Sequence, residues 1–177
     1  MQRWRVPLGF VCGALFLVFA RPRALTLIIG AVIALPGLAL RAWGSGYLRK
    51  NDALATAGPY AYTRNPLYLG SFLIGLGFTV ASGRWILGLA FLALFAGIYV
   101  PVMRVESQTL ANLFGDNYRR YAQKVPVFFP RFSPYVANEG AATFDPNLYR
   151  RYREYRATLG LVIAWVLLAM KAIFFRS

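Results

Sequence analysis

Four apolar runs, residues 24–43, 66–82, 85–103 and 158–175, decide what this chain can fold into. Crossing about 30 Å of hydrocarbon takes roughly 20 helical residues at about 1.5 Å each, and these runs meet or approach that length. A bilayer offers no water to backbone N–H and C=O groups, so such runs must fold as helices. A fifth run, residues 6–20, is shorter and follows Arg3 and Arg5. It resembles the apolar part of a signal peptide, ending Val18-Phe19-Ala20. Arg21-Pro22-Arg23 nevertheless makes a tight polar turn into the next run, as in a helical hairpin, and residues 6–20 are read as a span. The expected fold is all-α: a multi-pass membrane helical bundle of about five spans, forming one integral-membrane domain over residues 1–177. Polar segments at 44–65 and 104–157 lie between spans, the second supplying a cytoplasmic helix and loop that cover the bundle mouth. Pro36-Gly37 is expected to kink the second span.

Charge orients the bundle. Of the 20 Lys and Arg residues, 15 fall on the side that holds the N-terminus and both polar segments. The positive-inside rule puts that side in the cytoplasm. The net charge of +14 is thereby explained by orientation and by anionic lipid head groups, and nucleic acid is not expected as a partner. Tyr149, Tyr152 and Tyr155 recur among Arg150, Arg151, Arg153 and Arg156, a pattern that predicts an interfacial helix. The chain has no His and one Cys, so disulfide frameworks, zinc or haem sites and His-based acid/base chemistry fall away, and no metal is expected. Chemistry here must use Arg, Tyr, Asn and a few carboxylates.

Three segments hold the candidate chemistry, all on the cytoplasmic side. In Gly58-Pro-Tyr-Ala-Tyr-Thr-Arg-Asn-Pro-Leu-Tyr-Leu-Gly70, Asn65 and Pro66 are N-cap and first-turn residues that start the third span. Unpaired N–H groups and the positive dipole end then stand beside Arg64, which makes an anion site, or simply a capped helix with an interfacial Arg. After the fourth span come Arg104, Glu106 and Ser107, then Leu110, Phe114, Tyr118 and Tyr121 at helical spacing, so a cytoplasmic helix is expected to fold back over the bundle mouth. Glu106 stands close to a span end, where partial desolvation requires a partner; pairing with Arg104 or Arg64 is the plain alternative to a functional role. Gly44-Ser45-Gly46 closes the second span, either as a helix-ending turn or as a place where backbone approaches a ligand.

Taken together, Gly58-Pro59-Tyr60, Arg64-Asn65-Pro66-x-Tyr68 and Glu106-Ser107-x-x-Leu110 followed by Phe114-Gly115-x-x-Tyr118-x-x-Tyr121 resemble the integral-membrane methyltransferases that include isoprenylcysteine carboxyl methyltransferases and phospholipid N-methyltransferases. The resemblance covers about residues 41–131. The family's usual Arg-His-Pro is Arg64-Asn65-Pro66 here, and its Glu-Glu pair is Glu106-Ser107. The resemblance implies S-adenosyl-L-methionine as methyl donor and a lipophilic, membrane-resident acceptor, either isoprenylcysteine carboxylate-like or phospholipid amine-like. It implies cofactor contacts from Gly44, Gly46, Tyr60, Arg64, Asn65, Tyr68, Glu106, Tyr118 and Tyr121, with Arg104 and Glu106 as catalytic candidates. A donor of this kind carries a carboxylate suited to Arg64 and hydroxyls and an ammonium suited to Glu106. Two other readings stay open: a membrane sterol or enone reductase using NADPH, and a non-catalytic membrane scaffold.

Overall fold

The structure, a computed structural model, describes residues 13, 16–49, 52–136 and 142–174. Most of the predicted first span lies outside the described residues. The remainder forms α1 (Ala24–Ser45), a short 3-10 turn (Gly58–Ala61), α2 (Pro66–Ala81), α3 (Trp85–Lys124), α4 (Pro146–Arg151) and α5 (Tyr155–Phe174). No strand occurs among the described residues. The helices α1, α3 and α5 are long and apolar enough to cross a membrane, while α2, with 16 residues, is a shorter apolar helix. Their outward side chains, among them Leu25, Val32, Ile163 and Phe174, are exposed apolar groups. That is the surface expected of a bilayer protein, where lipid rather than protein covers such groups.

The tightest seam joins α1 and α2, and small residues make it. Gly30, Ala34 and Gly37 on α1 face Gly70, Gly77 and Ala81 on α2. A Cβ added to Gly37 would sit 2.6 Å from the Gly70 carbonyl oxygen, and one added to Gly70 would sit 2.7 Å from that of Gly37. Lipid tails are as apolar as Leu, so helix association in a bilayer depends on such close backbone approach. At one end of the seam the Arg21 N–H donates to the Ser82 carbonyl at 2.7 Å and Thr26 Oγ1 to the Ala81 carbonyl at 3.3 Å. Lys171, near the end of α5, donates to the carbonyls of Leu17 and Val18 at 2.7 Å each.

At the other end, the C-terminus of α1, the N-termini of α2 and α5 and the middle of α3 come together. Here Arg41 makes a bidentate pair with Glu154, Nε to Oε2 at 3.0 Å and Nη2 to Oε1 at 2.9 Å. Its Nη1 donates to Ser71 Oγ at 2.6 Å and to the Leu67 carbonyl at 3.3 Å. One Arg thus ties together α1, α2 and the turn before α5. A charge so near an apolar span is stable only when fully partnered in this way.

Two expectations need correction. The Tyr149–Arg156 stretch is not one interfacial helix: α4 ends at Arg151, Arg153 adopts φ 55°, and α5 begins at Tyr155. The turn is where Glu154 reaches Arg41, so a long-range ion pair overrides the local helical pattern. The span predicted at 85–103 belongs to a helix that continues to Lys124, broken at Gly115 (φ 51°, ψ −125°). Only glycine tolerates that backbone without strain, and the break turns residues 116–124 back toward the bundle mouth.

Candidate functional site

The site is assembled on the Gly58–Tyr68 segment, which the returning part of α3 and the strap that follows it hold in place. Tyr118, Tyr121 and Val125 are buried together, with Leu54, Leu110, Phe114 and Tyr135 packed around them. Tyr121 donates its hydroxyl to the Tyr60 carbonyl at 2.7 Å. Arg64 donates from Nη1 to the Tyr118 hydroxyl at 3.2 Å, and its backbone N–H donates to the Pro126 carbonyl at 2.9 Å. Tyr68, on the first turn of α2, donates to Glu106 Oε2 at 2.9 Å and sets its ring edge-on to Tyr99 at 5.2 Å. These contacts bring Tyr60, Arg64, Tyr68, Glu106, Tyr118 and Tyr121 to one place, the mouth of the bundle beside the start of α2.

Two groups of this cluster lack a matching polar or charged counterpart among the described residues. Arg64 Nε is buried and has no hydrogen-bond partner among the described residues. Glu106 forms no ion pair among the described residues; it accepts from the neutral Tyr68 hydroxyl. The Tyr60 hydroxyl is pushed far above the ordinary phenol range, first by burial and then by the Glu106 charge, with Tyr121, Tyr152 and Tyr68 adding to it. It therefore stays a neutral donor beside a carboxylate. Burial raises Tyr121 as well, and the Arg64 guanidinium partly offsets the rise.

Other predicted site residues are placed differently. Asn65 occupies the N-cap position of α2 but makes no side-chain cap; its Nδ2 donates to the Val127 carbonyl at 2.9 Å. Its amide is thus engaged by the strap. Gly44 lies against the start of α2, where an added Cβ would stand 3.1 Å from Leu67 Cδ2. Gly46 lies under the Phe144 ring and accepts the Asp145 N–H at 2.9 Å, so a side chain there would collide with protein. Arg104 is exposed and makes no ion pair or hydrogen bond among the described residues. Two positions before Glu106 on one helix, it is turned about 200° from it and is not brought into the Glu106 cluster.

Tyr152, expected only as an interfacial ring, stands close enough to affect Tyr60, and two residues on lies Glu154, whose pairing with Arg41 was not expected. A signal for the pair was available. Arg41 is a charge inside the second apolar run, and Glu154 is a carboxylate four positions before the last one.

A family model described as phospholipid methyltransferase matches residues 24–117, which include α1, α2 and α3 as far as its break. The chain belongs to the phospholipid methyltransferase family. Among similar proteins, the cobalt-zinc-cadmium resistance protein CzcN of Cupriavidus metallidurans is 39% identical over 145 residues, 75% of this chain and 64% of that protein. The nickel-cobalt-cadmium resistance protein NccN of Alcaligenes xylosoxydans xylosoxydans is 39% identical over 110 residues, 59% of this chain and 48% of the other. The protein-S-isoprenylcysteine O-methyltransferase of Schizosaccharomyces pombe is 35% identical over 81 residues, 46% of this chain and 34% of that enzyme. The chain spans less than two thirds of the length of each of these relatives. No solved structure matches it. Family membership and the apolar helices agree on an integral membrane protein of the methyltransferase type.

Proposed function

We propose that this chain is an enzyme that transfers a methyl group from S-adenosyl-L-methionine to a lipophilic acceptor resident in the membrane, from a site facing the cytoplasm. The single observation that carries the reading is the buried Arg64 Nε, unpartnered among the described residues, on the segment that joins Tyr60 to the N-terminus of α2 and Tyr68. The donor set fits the group: a guanidinium N–H beside uncapped helix N–H groups suits a carboxylate, and Glu106 suits hydroxyls or an ammonium. Arg64, Tyr60 and Glu106 would hold the cofactor. The Tyr118, Tyr121 and Val125 core would exclude water from one wall. When bound, S-adenosyl-L-methionine supplies an electrophilic methyl group.

The chain's part in the reaction is orientation. Holding an acceptor atom in line with a reactive centre can account for several kcal/mol of barrier. Glu106 can bind the cofactor, or take a proton if the acceptor is an amine. Arg104, on the far face of α3, is available to an anionic acceptor head group at the rim. The acceptor is either isoprenylcysteine carboxylate-like or phospholipid amine-like, and the bilayer delivers it. Cytoplasmic orientation is supported by the basic residues gathered at this end, from Arg41 and Arg49 to Arg150 and Arg156.

The decisive experiment pairs binding with turnover. S-adenosylhomocysteine should bind the purified chain in calorimetry, and radiolabelled donor should mark a component of a lipid extract. Arg64→Ala should weaken that binding by about 1.5–3 kcal/mol, the range for a hydrogen bond to a charged group. Arg64→Lys should rescue it only partly, because a point charge lacks the guanidinium's fork. Binding of NADPH instead, with no affinity for S-adenosylhomocysteine, would favour the reductase reading.

A further inference from the structure

Residues 125–136, which follow α3, form an irregular strap laid against the segment that leads into α2. Phe128 packs edge-on against Phe72 at 5.6 Å and lies 5.9 Å from Phe95, filling the gap between α2 and α3. Phe72 is the seventh residue of α2, about 9 Å along the axis from its start at ~1.5 Å per residue. The Phe128 ring therefore reaches past the start of α2 toward the apolar layer, while the strap backbone stays at the level of residues 61–65.

Non-helical backbone survives at that level only if its polar groups find partners in the protein. Here they do. The Pro126 carbonyl accepts the Arg64 N–H, that of Val127 accepts Asn65 Nδ2, that of Phe128 accepts Thr63 Oγ1 and that of Lys124 accepts Arg131 Nη1, all at 2.9–3.0 Å. Pro126, Pro130 and Pro134 remove three N–H donors from the same stretch. The Arg131 N–H bonds to the Tyr62 carbonyl at 3.0 Å and the Tyr135 N–H to that of Ala61 at 2.9 Å. While its backbone and the Phe128 ring are turned inward, two of its large side chains point out: Phe129 is 75% exposed and Phe132 is fully exposed. Exposed Lys124 precedes them, and half-buried Arg131 stands between them, donating also to Ser133 Oγ at 3.1 Å.

We propose that residues 126–132 form an interfacial strap whose Phe129 and Phe132 lie in the head-group and upper acyl region of the bilayer, with Lys124 and Arg131 on anionic lipid phosphates. Two aromatic rings facing water would be a liability. At the interface they are anchors, and the neighbouring cations complement an anionic leaflet. The same strap holds the backbone of Ala61, Tyr62 and Arg64, so lipid contact on its outer side is joined directly to the segment that carries the candidate site.

The test needs neither methyl donor nor acceptor, so its outcome is separate from that of the methyltransferase reading. Starting from Cys12→Ser, nitroxide labels are placed singly by Phe129→Cys, Phe132→Cys and, as an exposed control, Gln123→Cys. The full chain is then reconstituted in vesicles of phosphatidylcholine, with or without phosphatidylglycerol. The ratio of oxygen to nickel-chelate accessibility should be several-fold higher at 129 and 132 than at 123, and should rise further with phosphatidylglycerol. Ratios at 129 and 132 equal to that at 123 would overturn the assignment. Spin–spin broadening at 132 would also overturn it, by showing a second copy of the chain on the strap. No response to phosphatidylglycerol would refute the role of Lys124 and Arg131. Both Phe side chains are exposed, so the replacements do not open the core.

Discussion

The α1/α2 seam and the bundle mouth solve the same problem by opposite means. In the seam, specificity comes from what is missing: Gly30, Gly37, Gly70 and Gly77 let two backbones touch, and a larger side chain has nowhere to go. At the mouth it comes from what is added. Thr63, Asn65 and Tyr121 each hydrogen-bond a carbonyl of a distant segment, at 2.7–2.9 Å. The difference follows from solvent. Lipid cannot reward burial of apolar surface, so the seam depends on contact, whereas at the interface each unmet polar group costs energy and the bonds are compulsory. The first arrangement is rigid and chemically inert. The second gathers polar groups that can also serve a ligand, and it is where the candidate site lies.

The seam should be the more brittle. Gly37→Val would drive a branched side chain into the Gly70 carbonyl and Leu73, and neither helix can shift without separating the other close contacts. A destabilisation of at least about 3 kcal/mol is expected, the upper part of the overpacking range. Steric trapping or thermal unfolding in detergent measures it, and a change below half that size would mean that the helices re-register freely.

Glu154→Gln comes next, because Arg41 belongs to both regions: its stem lies on the seam and its head closes the mouth. Removing the carboxylate charge leaves a largely buried guanidinium without its counter-ion. Breaking a buried pair typically costs about 3–5 kcal/mol, and the partial exposure of Arg41 brings the expected loss down to about 2 kcal/mol. Since Tyr152 is two residues from Glu154, the variant should also accelerate proteolysis between α4 and α5. Unchanged stability together with unchanged cleavage would show that this pair is surface decoration.

A smaller effect, about 1–2 kcal/mol, is expected of Gly115→Ala, which places a Cβ on a backbone with φ 51° and ψ −125°. Apart from its own local backbone, none of the described atoms lies within 4 Å of the added Cβ, so the cost is conformational and not a tertiary clash. Hydrogen exchange should then rise for residues 116–124 while the seam stays protected. Equal loss of protection in both would mean that the two regions unfold as one unit.

The bundle was largely legible in the sequence because hydropathy is a local property. The predicted starts at Ala24, Pro66 and Trp85 coincide with the helix starts, and Asn65-Pro66 marks the beginning of α2 as N-cap and first-turn residues should. The use made of Asn65 was not legible. Its amide bonds a carbonyl 62 positions away, and nothing near Asn65 announces that partner. Gly115 was hidden for a different reason: it sits inside a run, Leu110 to Tyr121, whose spacing is helical on both sides of the break. Small residues on α1 and α2 were visible in principle, since Gly30, Ala34 and Gly37 recur at intervals of four and three. Read for hydropathy alone, such residues are only weakly apolar, and the seam they form is missed. The cluster of Tyr60, Arg64, Tyr68 and Glu106 was legible through the resemblance of its motifs to a family, because the start of α2 and the middle of α3 that carry them meet at one end of the bundle.

The smallest expected effect tests the mouth alone. Tyr121→Phe removes one hydroxyl, leaves the ring among Tyr118, Val125 and Tyr135, and deprives the Tyr60 carbonyl of its 2.7 Å donor. At neutral pH the loss should be about 1 kcal/mol, the net value of a typical hydrogen bond. Its pH dependence has a definite sign. Burial raises the Tyr121 hydroxyl above the ordinary phenol value of about 10, so the folded state holds its proton more tightly than the unfolded chain. The contribution of this group is therefore fully present below about pH 10 and declines as pH rises above it, where only the unfolded chain ionises. Tyr60 is raised in the same direction and adds to the decline. In Tyr121→Phe the alkaline loss of stability should be shallower than in the parent, so that the two stability curves converge above pH 10. Parallel curves would show that Tyr121 ionises as easily folded as unfolded, and that the mouth admits water where the packing of Tyr118, Tyr121 and Val125 excludes it.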